Sequence, residues 1–210
     1  SGLVIDPYFS ATKIQWILDN VPEARNKANS DEICFGTVDS YLLWKLTNGQ
    51  VHATDATNAS RTSLYNIKDL DWDDELLKIF NVPKTIMPKV MDSSFHFGNT
   101  SREIMNFELP VLSILGDQQA AAVGQACFSP GSIKSTYGTG CFVIINSGKK
   151  FIKSKSRLLS TICYKINGEP TYALEGSIFI AGAVVQWLRD SLKIIKSAKQ
   201  TEEISNSLKN

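Results

Sequence analysis

The chain has 210 residues, of which 43% are apolar and 20% charged, so it can bury a sizeable core and has room for one or two domains. This composition excludes an intrinsically disordered protein. A net charge of +1 without basic runs provides no electrostatic footprint for nucleic acid or for an anionic membrane surface.

The cysteines and the chain ends indicate what kind of protein this is. The four cysteines are Cys34, Cys127, Cys141 and Cys163. They show neither metal-ligand spacing nor the density of a disulfide scaffold, which favours reduced, buried thiols in a cytoplasmic protein. No apolar segment is long enough to span a bilayer, and no signal peptide is visible. The sequence opens at Ser1 without Met and stops at Asn210 in or just after a helix, so we expect a piece of a longer protein.

The first part of the chain is predicted to be mainly helical. Ser10 is expected to cap a helix that runs to about Leu18. Asp39 is expected to cap a second helix, which Asn48-Gly49 stops. The polar segment from Asp55 to Thr62 is interpreted as a structured loop.

A third helix, an irregular segment and a strand are predicted next. Asp73-Asp74 is typical of the acidic first turn of a helix. Residues 84–106, which Pro88 and Gly98 interrupt, are expected to be irregular. The apolar run Leu109–Leu115 predicts a buried strand.

The most informative stretch is Gly-Asp-Gln-Gln at 116–119, directly after that predicted strand. Asp117 would lie at the carboxyl end of a strand and before a helix of small residues, where α/β sheets present ligands. One acid beside two amides suits hydrogen bonding to a polyol better than holding a metal, which favours several oxygen anions. The alternative is that Asp117 only caps the helix, and these four residues leave both interpretations open.

A second motif, Thr-Tyr-Gly-Thr-Gly-Cys-Phe at Thr136–Phe142, lies between two predicted strands. Glycines on both sides of Thr139 allow backbone N–H groups to converge on an anion, and its hydroxyl adds a donor. The alternative is an ordinary tight hairpin whose glycines supply positive φ. An acid that can meet a substrate hydroxyl and a turn that can hold a phosphate are the two halves of a kinase site.

The last third of the chain is predicted to open a ribonuclease H-like unit. Strands are expected at about 132–138, 141–146 and 158–165, followed by a helix over about 178–193. Glu175-Gly176 is interpreted as a turn at a strand end. A domain boundary is placed near Gln125–Ser129, which divides the chain into 1–125 and 126–210.

These motifs resemble the FGGY family of carbohydrate kinases. Tyr8–Asn20 (YFSATKIQWILDN) matches all thirteen positions of the first family signature. Further matches are Thr54–Thr62, Leu70–Asp74, Gly116–Gln119, Tyr137–Phe142, Tyr172–Gly176 and Gln186–Asp190. The resemblance covers essentially the whole chain and is strongest to the bacterial members that phosphorylate glycerol.

The resemblance implies an α/β fold of the actin-like ATPase and ribonuclease H-like type, with two domains that are both incomplete here. Residues 1–125 would be the C-terminal part of the first, substrate-binding domain, and residues 126–210 the N-terminal part of the second, nucleotide-binding domain. The first phosphate-binding hairpin, an Arg-Glu pair that grips glycerol, the Gly-rich adenosine loop and the second family signature would all lie outside this chain.

The resemblance also implies a substrate site. Tyr8, Asp117 and Gln118 resemble the glycerol-binding set, and Asp117 matches the catalytic residue. Phe142 resembles an apolar wall against the glycerol carbon chain.

The nucleotide site is implied in the same way. Thr139, with Gly138 beside it, resembles the second phosphate loop, while Gly182 and Gln186 resemble contacts to the adenosine side of ATP. No residue is assigned as a direct metal ligand. Mg²⁺ would arrive with ATP, near Asp117.

The implied activity is ATP-dependent phosphorylation of glycerol to sn-glycerol 3-phosphate, with glycerol and MgATP as partners and without nucleic acid or membrane. The resemblance leaves open whether the full-length enzyme forms homo-oligomers. The alternatives are an FGGY kinase for a pentulose or sugar acid, and a truncated relative that folds without catalysing. Ser101–Leu109 lacks the Gly-Gly-x-Arg loop through which some members bind a sugar bisphosphate regulator. The chain alone is expected to be inactive.

Overall fold

The computed structural model describes residues 1–208; positions 209–210, where the sequence analysis ended the second domain, lie outside the described residues. The helices are α1 (Ser10–Asn20), α2 (Ala24–Asn29), α3 (Val38–Leu46), α4 (Ala56–Ala59), α5 (Asp74–Ile79), α6 (Arg102–Met105), α7 (Asp117–Gly124), α8 (Gly182–Asp190) and α9 (Lys199–Ser207). The strands are β1 (Ala53–Asp55), β2 (Tyr65–Asn66), β3 (Asp71–Trp72), β4 (Lys89–Met91), β5 (Ser94–Asn99), β6 (Pro110–Ser113), β7 (Ile133–Tyr137), β8 (Cys141–Gly148), β9 (Leu159–Ile166) and β10 (Glu169–Ile178).

The predicted N-terminal helices form, but their caps differ from the prediction. Phe9, not Ser10, is the N-cap of α1, and no side chain caps that end. Thr37 is the N-cap of α3, and Asp39 lies in the first turn. Helix α3 ends as expected, because Asn48 and the following glycine adopt positive φ.

The expectation of a loop over 55–62 is wrong, because α4 forms there. The Asp55 carboxylate accepts hydrogen bonds from the backbone N–H groups of Thr57 and Asn58 and so caps this one-turn helix. The expectation of irregular structure over 84–106 is wrong as well, since β4, β5 and α6 lie within it. Strand β4 pairs in parallel with β1, and β5 pairs with β6. These partners are distant in sequence, so no local pattern indicates them.

The strand predicted at Leu109–Leu115 forms as β6 but is not buried. Leu109 and Leu112 are exposed. Strand β6 pairs with β5 alone in a two-stranded sheet, so one edge and part of its surface have no covering element among the described residues.

The second half is built on a four-stranded antiparallel sheet of order β7-β8-β10-β9. Its register places Lys134 opposite Ile144 and Ile144 opposite Glu175. Residues directly opposite each other share a face, so Lys134 and Glu175 lie on one face with Ile144 between them. The interpretation of Glu175-Gly176 as a strand-end turn is therefore wrong. Both residues lie inside β10, a strand whose buried face carries the small or charged side chains Ala173 and Glu175 instead of an apolar repeat.

One hydrophobic core joins the two halves of the chain. Ile162 and Tyr172, from β9 and β10, belong to the same buried cluster as the apolar faces of α1 and α4. The Tyr172 hydroxyl donates to the Ile67 carbonyl at 3.0 Å. Three cysteines are buried, whereas Cys34 is exposed, which corrects the expectation for that thiol. Within the described part of the chain, no helix has the length and apolar character needed to cross a membrane.

Candidate functional site

Asp117 is the first residue of α7 and presents an exposed carboxylate. The N-cap position belongs to Gly116, so the interpretation of Asp117 as the helix cap is wrong. Within residues 1–208, the Asp117 carboxylate accepts only from the next residue, from the Gln118 backbone N–H at 2.8 Å and from its Nε2 at 3.4 Å. Its remaining lone pairs are free for a ligand.

Gln118 is held by a hydrogen bond from a buried lysine, Lys134, whose role the sequence did not predict. The Lys134 Nζ donates to the Gln118 Oε1 at 2.6 Å. Lys134 is the second residue of β7 and is only 1% exposed. Desolvation by burial lowers the pKa of Lys134, and the negative charges of Asp117 and Glu175 oppose that effect. Only the inward parity of Lys134 on its strand could have indicated this role.

A buried hydrogen-bond chain fixes the backbone directly before Asp117. The Thr57 hydroxyl donates to the Asp55 carboxylate at 2.7 Å and accepts from the Gly116 N–H at 2.8 Å. Asp55 is buried, and desolvation raises its pKa, although five hydrogen bonds from neighbouring donors favour the ionised form.

Tyr8 and Phe142 line one cavity of about 610 Å³ between the N-terminal segment and the sheet. Arg61 and Glu175 line it too and form a bidentate ion pair, with N–O distances of 2.7 and 2.9 Å. The Arg61 guanidinium also lies 5.2 Å from the centre of the Phe9 ring. Asp117 and Gln118 are not among the residues that line this cavity. Sequence reasoning missed the ion pair, although each partner lies in a segment that matches the family.

The Gly138–Gly140 turn is held against the start of α8. The N–H of Gly182 donates to the Gly138 carbonyl at 2.9 Å, and the N–H of Ala181 donates to the Thr139 carbonyl at 2.7 Å. A Cβ on Gly182 would lie 2.6 Å from the Gly138 oxygen, and one on Gly140 would lie 2.7 Å from the Ile178 oxygen. The glycines permit close approach of two backbones. Neither turn glycine has positive φ, so the ordinary-hairpin alternative does not explain them.

The predicted nucleotide residues are thus partly brought together. Gly138, Thr139 and Gly182 form one contact region, and Gln186 lies one helical turn further along the same face of α8, exposed to solvent. In the described residues, the N–H groups of Thr139 and Gly140 donate to no protein acceptor. Among residues 1–208, no three His, Cys, Asp or Glu side chains are grouped so that they could hold a metal ion.

The sequence matches one protein family along nearly its full length. Residues 1–124 match the FGGY family of carbohydrate kinases, N-terminal domain, and residues 133–210 match the C-terminal domain of the same family. The chain belongs to the FGGY family of carbohydrate kinases.

Several relatives carry a more specific name. The chain is 59% identical over 205 residues to the glycerol kinase of Alcanivorax borkumensis, covering 98% of this chain and 41% of that protein. It is 58% identical over 208 residues to glycerol kinase 2 of Thermotoga maritima, with 99% and 42% covered. The chain therefore spans about two fifths of the length of these relatives.

Solved structures confirm the predicted fold class. The crystal structure of Plasmodium falciparum glycerol kinase with ADP superimposes with a TM-score of 0.94 at 40% identity, over 100% of this chain and 42% of that one. Ligand-bound xylulose kinase from Lactobacillus acidophilus gives a TM-score of 0.81 at 19% identity, over 99% and 41% of the two chains. That likeness concerns the fold alone. The chain has the mixed α/β, actin-like and ribonuclease H-like fold of FGGY kinases.

Proposed function

We propose that this chain is the central part of an enzyme that phosphorylates glycerol with ATP. The observation that carries the proposal is the position of Asp117. Its carboxylate is exposed at the start of α7, and the amide beside it is anchored by a buried lysine. Relatives about 59% identical over this region are named glycerol kinase, which supports glycerol as the substrate.

Asp117 would accept a hydrogen bond from the glycerol hydroxyl that attacks the terminal phosphate, and would take its proton as the phosphate transfers. Phosphoryl transfer depends on positioning and charge stabilisation, so aligning the hydroxyl is the main task of this carboxylate. Tyr8 and Phe142, which share a cavity, would pack against the carbon chain. In this proposal, Asp117 and Gln118, which lie outside that cavity, would supply polar groups for the hydroxyls of a small polyol, and Tyr8 and Phe142 would supply aromatic surface for its carbons.

The turn between β7 and β8 would hold phosphate oxygens of ATP. The free N–H groups of Thr139 and Gly140 and the Thr139 hydroxyl are the donors for that contact. Gly182 and Gln186, on one face of α8, would meet the adenosine side. Mg²⁺ fits this chemistry, since it is usually held by substrate phosphates, water and one or two carboxylates, and Asp117 offers an exposed carboxylate. When bound, it would neutralise phosphate charge.

The wider assignments belong to the same proposal. Residues 1–125 would be the part that binds substrate, and residues 126–210 the part that binds nucleotide. Three buried cysteines that form no disulfide support a reducing, cytoplasmic location.

The test uses a full-length hybrid in which this chain replaces the matching segment of the Alcanivorax borkumensis glycerol kinase; we call it the hybrid. A coupled assay should show ADP release with glycerol and much less with xylulose or gluconate. The Asp117→Asn variant should lose turnover on the order of a thousandfold while still binding ATP. Asp31→Asn, at an exposed aspartate outside the site, is the matched control.

Two results would contradict the proposal. One is a hybrid that phosphorylates a sugar or sugar acid but not glycerol. The other is near-normal turnover in the Asp117→Asn variant with unchanged thermal stability. The 210-residue chain by itself, assayed in parallel, is expected to show no activity, because it spans only 41% of the relative.

A further inference from the structure

Lys134 is the only lysine that is buried among the residues that the structure describes. It lies on the sheet face that it shares with Glu175, but no carboxylate forms an ion pair with it in that part of the chain. Its one side-chain partner is the Gln118 oxygen. A buried ammonium without a counter-ion is costly, and an apolar side chain of similar volume would pack at lower cost. Stability alone therefore does not account for a lysine at this position.

The contact determines which way the Gln118 amide points. A lysine ammonium can only donate, so it requires the carbonyl oxygen of the amide on its side. The Gln118 nitrogen is then directed to the opposite side, 3.4 Å from the Asp117 Oδ2. This long contact leaves an N–H of Gln118 available to donate to an oxygen atom that also contacts Asp117.

We propose that Lys134 is a positioning residue for glycerol phosphorylation: its ammonium group fixes the Gln118 amide so that the amide nitrogen and the Asp117 carboxylate bind the same substrate hydroxyl. The inference rests on the proposed function and deepens it. Lys134 does not touch the substrate. It acts through Gln118, and its positive charge adds to the stabilisation of the negative charge that gathers at the site.

The experiment is a double-mutant cycle in the hybrid. Lys134→Met keeps most of the length of the side chain and removes the ammonium. It should raise KM for glycerol about tenfold to a hundredfold, the effect of losing one charge-assisted hydrogen bond. KM for ATP should change less than about twofold, which is the deviation from additivity usually seen between independent substitutions. Gln118→Leu should show the same selective effect, and the double variant should be no worse than Gln118→Leu alone. Lys153→Met, at an exposed lysine, is the control.

A merely structural lysine would give a different pattern. Lys134→Met would then change KM for both glycerol and ATP, or its effect on KM for glycerol would multiply with that of Gln118→Leu in the double variant. Either result would overturn the inference. If Lys134→Met fails to fold, Gln118→Glu provides the test, since it keeps an acceptor for Lys134 but removes the amide nitrogen. It should then fold and still lose glycerol affinity, and unchanged affinity would refute the inference.

The two proposals fail in different ways. A parent hybrid that does not use glycerol refutes the proposed function, and the role of Lys134 falls with it. A parent hybrid that uses glycerol, with a Lys134→Met variant that has unchanged kinetics, refutes the role of Lys134 alone.

Discussion

The ion pair between Arg61 and Glu175 should contribute strongly to the stability of this chain. It joins the segment after α4 to strand β10, and therefore fastens the two halves of the molecule at the edge of the cavity. The Glu175 side chain is 6% exposed and that of Arg61 21% exposed. Ion pairs at a protein surface contribute little, but breaking a buried one leaves a charge without compensation.

The two single substitutions should differ in size because the two partners differ in exposure. Arg61→Met leaves the buried carboxylate without both donors and should cost about 3–5 kcal/mol of unfolding free energy. Loss of the contact with the Phe9 ring adds to that cost. Glu175→Gln leaves a guanidinium that can still reach water and one amide oxygen that can still accept, so it should cost about 1.5–3 kcal/mol.

The double variant gives the sharper test, because it predicts a sign. With Arg61 replaced by Met, the buried charge of Glu175 is unfavourable, so adding Glu175→Gln should recover stability. The double variant is expected to be more stable than Arg61→Met alone. Urea unfolding of the chain, followed by circular dichroism, measures all four free energies.

An exposed ion pair at the end of the same sheet, where Lys149 directly follows β8 and Glu169 begins β10, is the matched control. Lys149 and Glu169 form an ion pair with side chains 79% and 65% exposed, so Lys149→Met should change stability by less than about 1 kcal/mol. The reasoning is refuted if Arg61→Met costs no more than this control, or if the double variant is less stable than Arg61→Met.

Three further predictions concern the turn, the cavity and the buried lysine. Gly182→Ala should lower the unfolding free energy by about 1–3 kcal/mol, because its Cβ would lie 2.6 Å from the Gly138 oxygen, while Gly124→Ala, with no atom within 4 Å, should be neutral or stabilising in thermal unfolding. In the hybrid, Phe142→Ala should raise KM for glycerol by a factor that corresponds to a loss of about 1–3 kcal/mol in binding free energy, and should leave KM for ATP unchanged. Equal effects on the two KM values would show that Phe142 is only a packing residue. Because burial lowers the pKa of Lys134 in the folded state, the unfolded chain binds more protons in the window below the ordinary value of 10.5; urea unfolding should therefore show the parent chain gaining stability over Lys134→Met as pH rises through that window.

The parts of this site that could be predicted from sequence are those specified locally. Asp117 follows a strand-like run and a glycine, and the Gly138–Gly140 turn lies between two strand-like segments. The family motifs supplied their chemical meaning. Lys134 and Glu175 are hard to predict, because each has its partner in another element and a polar residue in a strand usually indicates a solvated face. Burial reverses that meaning, and only the assembled sheet shows it.

The same distinction explains why the segment after Asp55, predicted as a loop, forms helix α4. Asp55 caps this helix and also holds other segments in place. The Asp55 carboxylate accepts hydrogen bonds from the hydroxyls of Thr57 and Ser93. The Ser93 N–H donates to the Lys165 carbonyl in β9, and the Lys165 N–H donates to the Ser93 Oγ. Thr57 also accepts from the Gly116 N–H. One buried carboxylate therefore fixes three segments that are distant in sequence, including the residue directly before Asp117. Because every donor in this network is satisfied by another member, the position of Asp117 depends on residues that never face a ligand.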